Sequence, residues 1–261
     1  MLMPVNAARA AGRNFAVVKS AVVSPSLGKS FCDPPTARSI LATFATAQRL
    51  RANAQAGTGS QPLRGKNLAL LLGALPEGDV ATLRSAAQAL GARVADLRFT
   101  RSQYPAAGRD DVGALARVLG RMYDAIDCEA LPPADTLRIE QAAGVPVYCG
   151  LCLDEHQARI LADLMTLHEH RSPPGASIRF LGDPKTARGS RFVLAAREAG
   201  FEVLLDGQGD PASKDATFVV DARHSPRWSL LAATGPLDEA RRAENHRCVI
   251  QTVLLDTIVK A

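Results

Sequence analysis

The 261-residue chain has no apolar run that approaches the roughly 20 residues a helix needs to cross a bilayer. Aromatic residues are scarce as well, at 5% of the chain, which leaves few side chains for stacking on nucleic-acid bases. Residues 1–30 hold four basic and no acidic residues, so the remaining chain carries 27 basic against 26 acidic residues. Because this balance provides no basic face, we expect neither a nucleic-acid partner nor a membrane partner.

Cysteine is also sparse, with five residues in the whole chain. A small, odd number of thiols argues against a disulfide framework and favours a reducing, cytoplasmic compartment. Residues 1–30 lack acidic residues, a composition that organelle transit peptides share. Lys19 interrupts the apolar part of this segment, which argues against a secretory signal. We interpret residues 1–30 as a disordered extension.

Apolar runs of strand length alternate with amphipathic helical patterns along the rest of the chain. A helix is predicted after residue 152, and others are predicted at residues 36–55, 79–92, 110–122, 133–144, 186–200 and 237–259. Strands are predicted at residues 67–73, 93–99, 123–127, 145–148, 178–183, 201–205 and 216–222. This alternation predicts an α/β fold with parallel sheets that are covered by helices on both faces.

Residues 168–177 interrupt the alternation with tandem prolines and a glycine, and they are the best candidate for a linker. The length of the chain favours two modest cores over one large core. We therefore predict two domains, at residues 31–170 and 171–261, the second of which ends in a long helix.

The stretch "VPVYCGLCLDEHQ" concentrates thiols, carboxylates and a histidine. Cys149 and Cys152 have the C-x-x-C spacing of redox and metal sites, and His156 adds a third potential zinc ligand. At about 1.5 Å per helical residue, His168 and His170 lie roughly 18–21 Å further along the same helix, too far to complete a four-ligand site. The carboxylates after Cys152 oppose thiolate formation. We therefore predict neither a metal nor redox chemistry here.

Four blocks of the sequence, in the right order, resemble the aspartate and ornithine carbamoyltransferase family. The block "VPVYCGLCLDEHQARILADLMTLHEH" is similar to the family pattern "VPVINGL", a short acidic stretch, "HPxQ" and "LADLLT". The pair "GKNLALLLG" and "LRSAAQALGA" resembles the first strand and second helix of the family. The block "FLGDPKTARGSRFVLAAREAGFEV" resembles the opening of the second domain of the family. The block "RAENHRCVIQTVLL" resembles its C-terminal helix. Together the blocks span most of residues 30–261.

The resemblance implies two doubly wound parallel-sheet domains, a carbamoyl-phosphate-binding-like domain followed by a reduced amino-acid-binding-like domain. It implies no cofactor. Cys149 and Cys152 stand where the family has Asn and Ser or Thr, which makes the C-x-x-C an incidental pair of small residues on a buried turn. The "HCLP" loop of the family is missing, because the chain passes from "VVDARHSPRW" to its terminal helix in a short stretch.

The positions that would bind carbamoyl phosphate depart most from the family. The Ser-x-Arg-Thr-Arg loop is replaced by Pro76–Val80, which includes Glu77 and Asp79, and a later arginine is replaced by Glu129. A dianionic phosphate needs amide donors and arginine forks, whereas carboxylates repel it. At about 1.5–3 kcal/mol for each contact, three lost contacts remove on the order of 4–9 kcal/mol of binding free energy. We therefore predict no efficient use of carbamoyl phosphate.

Three residues remain as candidates for substrate binding: His156, Arg159 and Arg188. His156 is retained from "HPxQ", in which Gln157 and Arg159 replace the proline and the glutamine. It is either a vestigial donor to the substrate carbonyl or a histidine that caps its helix. The amino-acid-binding asparagine of the family falls at Arg188 or Gly189. The turn "GDPKTARGS" lacks nucleotide-binding spacing, so its basic residues, including Arg188, are otherwise expected on a solvated helix face.

These departures predict a non-catalytic subunit or regulatory partner. Two alternatives stay open: an active transferase with a changed substrate, for which Arg159 and Arg188 supply the positive charge, and a small-molecule sensor without turnover. Family members form trimers through the first domain. The resemblance therefore implies a homo-oligomer, namely a trimer, or a mixed oligomer with a complete carbamoyltransferase.

Overall fold

The computed structural model describes residues 36–72, 77–98, 109–129, 131–172, 174–205, 216–224 and 226–259, with the backbone alone at 77–79 and 109–110. The predicted extension at residues 1–30 lies outside these ranges. The helices are α1 Ala37–Gln55, α2 Glu77–Ala89, α3 Arg109–Met122, α4 Pro133–Ala143, α5 Gln157–His170, α6 Ala187–Glu198 and α7 Glu239–Ile258. The strands are β1 Asn67–Leu72, β2 Arg93–Arg98, β3 Ala125–Asp127, β4 Val147–Tyr148, β5 Ser177–Leu181, β6 Glu202–Leu205, β7 Phe218–Asp221, β8 Ser229–Ala232 and β9 Gly235–Pro236. Within the described ranges, no helix is both long enough and apolar enough to cross a membrane.

The first sheet is parallel and has the strand order β2-β1-β3-β4. Its two faces carry separate apolar clusters, because successive side chains of a strand point to opposite faces. Leu68 and Leu70 of β1 belong to a large cluster with residues of α1, α2, α5 and α7. Ala69 and Leu71 belong to a smaller cluster with residues of α3 and α4. Helices therefore cover both faces of this sheet, as the sequence predicts.

The second sheet has the strand order β6-β5-β7-β8-β9. Strands β6, β5 and β7 are parallel, whereas β8 and β9 form an antiparallel hairpin that the sequence analysis does not include. Phe180 of β5, Phe192 of α6 and Trp228 before β8 pack together, with ring centroids 5.5–5.9 Å apart. These aromatic contacts anchor the start of the hairpin to the core of the second sheet.

Helix α7 follows the second sheet in the chain but packs against α1, α2 and α5. Arg51 of α1 donates to Glu169 of α5 at 2.7 Å and also to Asn245 of α7. Arg241 of α7 pairs with the second Glu169 oxygen at 3.0 Å. Sequence order places α7 with the second predicted domain, whereas these contacts tie it to the helices of the first sheet. The domain boundaries at residues 31–170 and 171–261 stay predictions.

Candidate functional site

The carboxyl ends of β3 and β4 lie side by side, because the two strands are parallel neighbours. Asp127 is the last residue of β3, and its Oδ1 accepts hydrogen bonds from Gly150 N at 2.8 Å and Leu151 N at 3.3 Å. These bonds join the two strand ends and hold Asp127 where it is only 2% exposed. In open α/β sheets this edge is where ligands bind. The edge formed by β3 and β4 is therefore the first candidate for a binding site.

Asp127, Glu129 and Cys152 each bring one donor atom to within 4.8 Å of the others, and we call them the acid–thiol cluster. The Cys152 thiol donates to Glu129 Oε2 at 3.7 Å. Burial is the main reason that the pKa of Asp127 is raised to about 7; the charge of Glu129 also raises it, and backbone hydrogen bonds oppose the rise. The edge is thus acidic at a position where a phosphate ligand would need positive charge.

The other acidic replacements lie at the start of α2. Glu77 and Asp79 are in its first turn, where the structure describes the backbone alone, and Pro76 lies outside the described residues. Glu129 is the acidic replacement whose side chain the structure describes, and it lies beside Cys152. The predicted repulsion of phosphate stays a prediction at all three positions.

His156 lies at the start of α5 and caps it. Its Nδ1 accepts a hydrogen bond from Ala158 N at 3.0 Å, which confirms the helix-capping interpretation. Because Nδ1 is the acceptor, the neutral ring carries its proton on Nε2. Burial of the ring, together with the positive charge of Arg191, lowers the pKa of His156 to about 4. A neutral ring with this tautomer can still donate to a carbonyl oxygen, so the donor role stays a prediction.

A second polar cluster surrounds Asp163, which lies in the middle of α5 and is completely buried. Arg242 of α7 pairs with it at 2.7 Å and Arg188 of α6 at 3.2 Å, while Arg159 Nε is 3.7 Å away. We call these four residues the Asp163 cluster. Burial opposes ionisation of Asp163, but the charges of the three arginines outweigh it and lower the pKa of the carboxyl group. The cluster therefore holds an ionised aspartate that links three helices.

Arg159 and Arg188, two of the predicted binding residues, are thus brought together. Arg188 is 4% exposed, donates to Pro226 O at 2.7 Å and lies with its Cζ 4.0 Å from the centroid of the Trp228 ring. The expectation of a solvated helix face is wrong for Arg188, because its guanidinium is buried between an aspartate and an aromatic ring. Arg159 is less buried, and its Nε lies 3.5 Å from Asp154. Neither guanidinium lies in the acid–thiol cluster.

Sequence reasoning missed Asp163, Arg242 and His246. His246 of α7 is buried, and its Nδ1 is 3.5 Å from Arg159 Nη1. Burial is the main reason that the pKa of His246 is lowered to about 3, and the charge of Arg159 lowers it too. One signal was available: Asp163 interrupts the apolar run Ile160–Leu167, and aspartate is almost never fully buried without a partner.

The C-x-x-C motif divides between two environments. Cys152 is buried, whereas Cys149 is exposed, so the expectation of two cysteines on a buried turn is wrong for Cys149. The group of potential metal ligands that the described residues form contains Cys152 with Asp127 and Glu129, and it contains neither Cys149 nor His156. The three residues that share metal-ligand spacing in the sequence are therefore not the three that meet in the fold.

The sequence profile described as "Aspartate/ornithine carbamoyltransferase, carbamoyl-P binding domain" matches residues 33–169, which is more than half of the chain. The chain belongs to the aspartate/ornithine carbamoyltransferase family. A catabolic ornithine carbamoyltransferase of Haemophilus influenzae is 32% identical over 154 residues, which cover 58% of this chain and 46% of that protein. An ornithine carbamoyltransferase of Actinobacillus pleuropneumoniae is 33% identical over 152 residues, which cover 58% and 45%. The chain thus spans about half the length of these curated carbamoyltransferases.

Solved structures of the family share the fold. Ornithine carbamoyltransferase from Burkholderia thailandensis superposes with a TM-score of 0.68 at 18% identity, covering 86% of this chain and 96% of that chain. Aspartate transcarbamoylase from Trypanosoma cruzi superposes with a TM-score of 0.59 at 15% identity, covering 86% and 94%. At these identities the likeness shows the fold alone. It confirms the prediction of an α/β fold of carbamoyltransferase type.

Proposed function

We propose that the chain is a non-catalytic member of the carbamoyltransferase family that serves as a subunit or regulatory partner. The Asp163 cluster carries this proposal, because the guanidinium group of Arg188, a candidate for substrate binding, is paired with the buried Asp163 instead. Moving Arg188 to a substrate would break its charged hydrogen bond to Asp163 at 3.2 Å, which contributes about 1.5–3 kcal/mol, and also its hydrogen bond to Pro226 O and its contact with the Trp228 ring. A hydrogen bond from Arg188 to a charged ligand would return only about 1.5–3 kcal/mol. The internal pair is therefore preferred over a substrate.

The acid–thiol cluster supports the same conclusion. Carbamoyl phosphate must place a dianionic phosphate near the carboxyl edge of the first sheet, and phosphate sites are built from arginine forks and helix amides. Glu129 stands where the family resemblance places an arginine, and Asp127 lies beside it. In place of the arginine fork, this edge presents two carboxyl groups, neither of which supplies a cationic contact to a phosphate.

Thermal unfolding in the presence of carbamoyl phosphate tests the catalytic part of the proposal. We expect millimolar carbamoyl phosphate to leave the Tm unchanged, because a ligand gives almost no stabilisation when its concentration is far below its Kd. A complete ornithine carbamoyltransferase measured in parallel is the positive control. Turnover is measured with ornithine and with aspartate, which also tests the alternative of a transferase with a changed substrate.

A rise in Tm that His156→Ala abolishes would overturn the proposal. His156→Asn is the matched control, because asparagine keeps the side-chain acceptor that caps α5. If both variants lose the effect, the imidazole itself binds the ligand. If His156→Asn keeps it, the acceptor at the helix start is sufficient. Either result would show that the chain binds carbamoyl phosphate, as the catalytic members of the family are expected to do.

The assembly part of the proposal rests on apolar surface as well as on the family. Val118 and Met122 of α3 are 52% and 58% exposed, and they lie one helical turn apart. Leu137 of α4 is 53% exposed, and α4 packs against α3 on the same face of the first sheet. Large exposed apolar side chains favour burial against another chain. We therefore propose a homo-oligomer, a trimer, or a mixed oligomer with a complete carbamoyltransferase.

Light scattering at micromolar concentration measures the assembly, alone and with a complete family member added. We expect Met122→Glu on α3 to shift the protein towards the monomer, because it would place a charge in the proposed interface. Leu194→Glu on α6 is the matched control, since Leu194 is a similarly exposed apolar residue beside the second sheet. If the wild type is a monomer and does not bind the complete carbamoyltransferase, the assembly role is refuted and the sensor function is favoured.

The thiols support a cytoplasmic location for this assembly. Four cysteines lie in the described residues, and no disulfide bond joins any two of them: Cys128, Cys149, Cys152 and Cys248. Thiols that are not joined in disulfide bonds suit a reducing compartment, where disulfides rarely persist.

A further inference from the structure

The spacing of the acid–thiol cluster is close to that of ligands on one metal ion. Cys152 Sγ and Glu129 Oε2 are 3.7 Å apart, and Asp127 supplies a third donor atom within 4.8 Å of both residues. A tetrahedral zinc ion with bonds of about 2.3 Å to sulfur and about 2.0 Å to oxygen separates these donors by about 3.5 Å. The cluster therefore needs only small side-chain movements to surround an ion.

Asp127 gives an independent reason to expect either a proton or a cation at this place. It is almost fully buried, and a buried carboxylate is costly unless it is paired or protonated. Within the described part of the chain, the main influences on Asp127 are burial, backbone hydrogen bonds and the negative charge of Glu129, and none of them is a basic side chain. The hydrogen bonds from Gly150 N and Leu151 N both go to Oδ1. A proton or a cation must therefore compensate the charge of Asp127.

We propose that Asp127, Glu129 and Cys152 bind a divalent ion of the zinc class. The thiol selects against Mg²⁺ and Ca²⁺, which prefer ligand sets of oxygen alone. Binding deprotonates the Cys152 thiol, and the proton passes to solvent as the sulfur–metal bond forms. Three protein ligands leave a fourth position for a water molecule. This inference goes beyond the proposed function, since it holds whether or not the chain turns over a carbamoyl substrate.

Cobalt binding to the full-length, metal-free, reduced protein tests the site. We expect Co²⁺ to produce a thiolate-to-cobalt charge-transfer band in the near ultraviolet, and Zn²⁺ to displace the cobalt and raise the Tm by mass action. Cys152→Ser should abolish the band. Glu129→Gln should weaken Co²⁺ binding at least about 10–100-fold, since changing even the groups that support metal ligands costs that much.

Cys149→Ser is the matched control, because Cys149 belongs to the same C-x-x-C motif but is exposed and lies outside the cluster. It should keep the band and the affinity of the wild type. Cooperative unfolding in a chelator shows that each variant is folded, and if Cys152→Ser is not, Glu129→Gln decides the test. The proposal is overturned if the reduced wild type shows neither the cobalt band nor stabilisation by Zn²⁺. It is equally overturned if Cys149→Ser loses the band.

Discussion

Replacing Asp163 by asparagine removes the negative charge that Arg188 and Arg242 share in the buried centre of the Asp163 cluster. Three charge-assisted hydrogen bonds end on this carboxylate, two from Arg242 at 2.7 and 3.2 Å and one from Arg188 at 3.2 Å. Asparagine keeps the shape of the side chain but removes the only fully buried counter-charge that the described residues give the two guanidinium groups. The carboxylates that remain near them are more exposed: Glu239 lies 3.1 Å from Arg242 and Asp154 lies 3.8 Å from Arg188. The perturbation is therefore almost purely electrostatic.

The expected cost is a large share of the stability of the protein. At about 1.5–3 kcal/mol each, three charged hydrogen bonds give roughly 4–9 kcal/mol, an upper range because the bonds share one acceptor group. Removing one partner of a buried ion pair costs about 3–5 kcal/mol. We expect the free energy of unfolding to fall by about 3–5 kcal/mol, out of a typical total of about 5–15 kcal/mol.

Urea unfolding at pH 7, followed by circular dichroism, measures this change as a shift of the midpoint at constant slope. Asp154→Asn is the matched control, because Asp154 lies 3.5 Å from Arg159 and 3.8 Å from Arg188 but its side chain is 38% exposed. An exposed ion pair contributes at most about 1 kcal/mol. The reasoning would be refuted if the two variants cost the same, or if Asp163→Asn unfolded within about 1 kcal/mol of the wild type.

Two further predictions concern pH and packing. In the folded protein the pKa of His246 is lowered to about 3, whereas an unfolded histidine has a pKa of about 6.5. Between these two values only the unfolded chain protonates this imidazole, so the free energy of unfolding falls as the pH falls, by about 2 kcal/mol at pH 5. Between pH 7 and pH 5, His246→Gln should lose less unfolding free energy than the wild type does. The exposed His170→Gln should lose as much as the wild type. A Cβ at Gly120 of α3 would overlap the Ala143 carbonyl oxygen of α4, so Gly120→Ala should lower the free energy of unfolding by about 1–3 kcal/mol or more. Gly113 on the same helix has room for a Cβ, so Gly113→Ala should raise the free energy of unfolding by about 0.5–1 kcal/mol. Thermal unfolding of the two variants checks both signs; equal effects would contradict the close packing of α3 on α4.

The local pattern of the sequence was sufficient for the helices and most strands. Helix α4 is predicted at residues 133–144 and observed at Pro133–Ala143, because its apolar spacing and its proline and glycine boundaries are properties of neighbouring residues. The family follows from the sequence for a similar reason, since the order of the matching blocks does not depend on how they pack. The hairpin of β8 and β9 was missed, because its strands have four and two residues, too few for a clear period.

Only the tertiary structure decided the environment of the charged residues. Arg188 reads as a surface residue in its own helix, yet it pairs with Asp163 from 25 positions earlier, and Arg242 reaches the same carboxylate from 79 positions later. Cys152 likewise meets Asp127, at the end of β3, and Glu129, two residues after it, rather than its sequence neighbour Cys149. The spacing of residues along the chain determines helices and strands, because these depend on hydrogen bonds and side-chain periodicity within a few residues. The pairing of buried charges depends on which strand ends and helix faces the fold brings together, and a single sequence does not contain those distances.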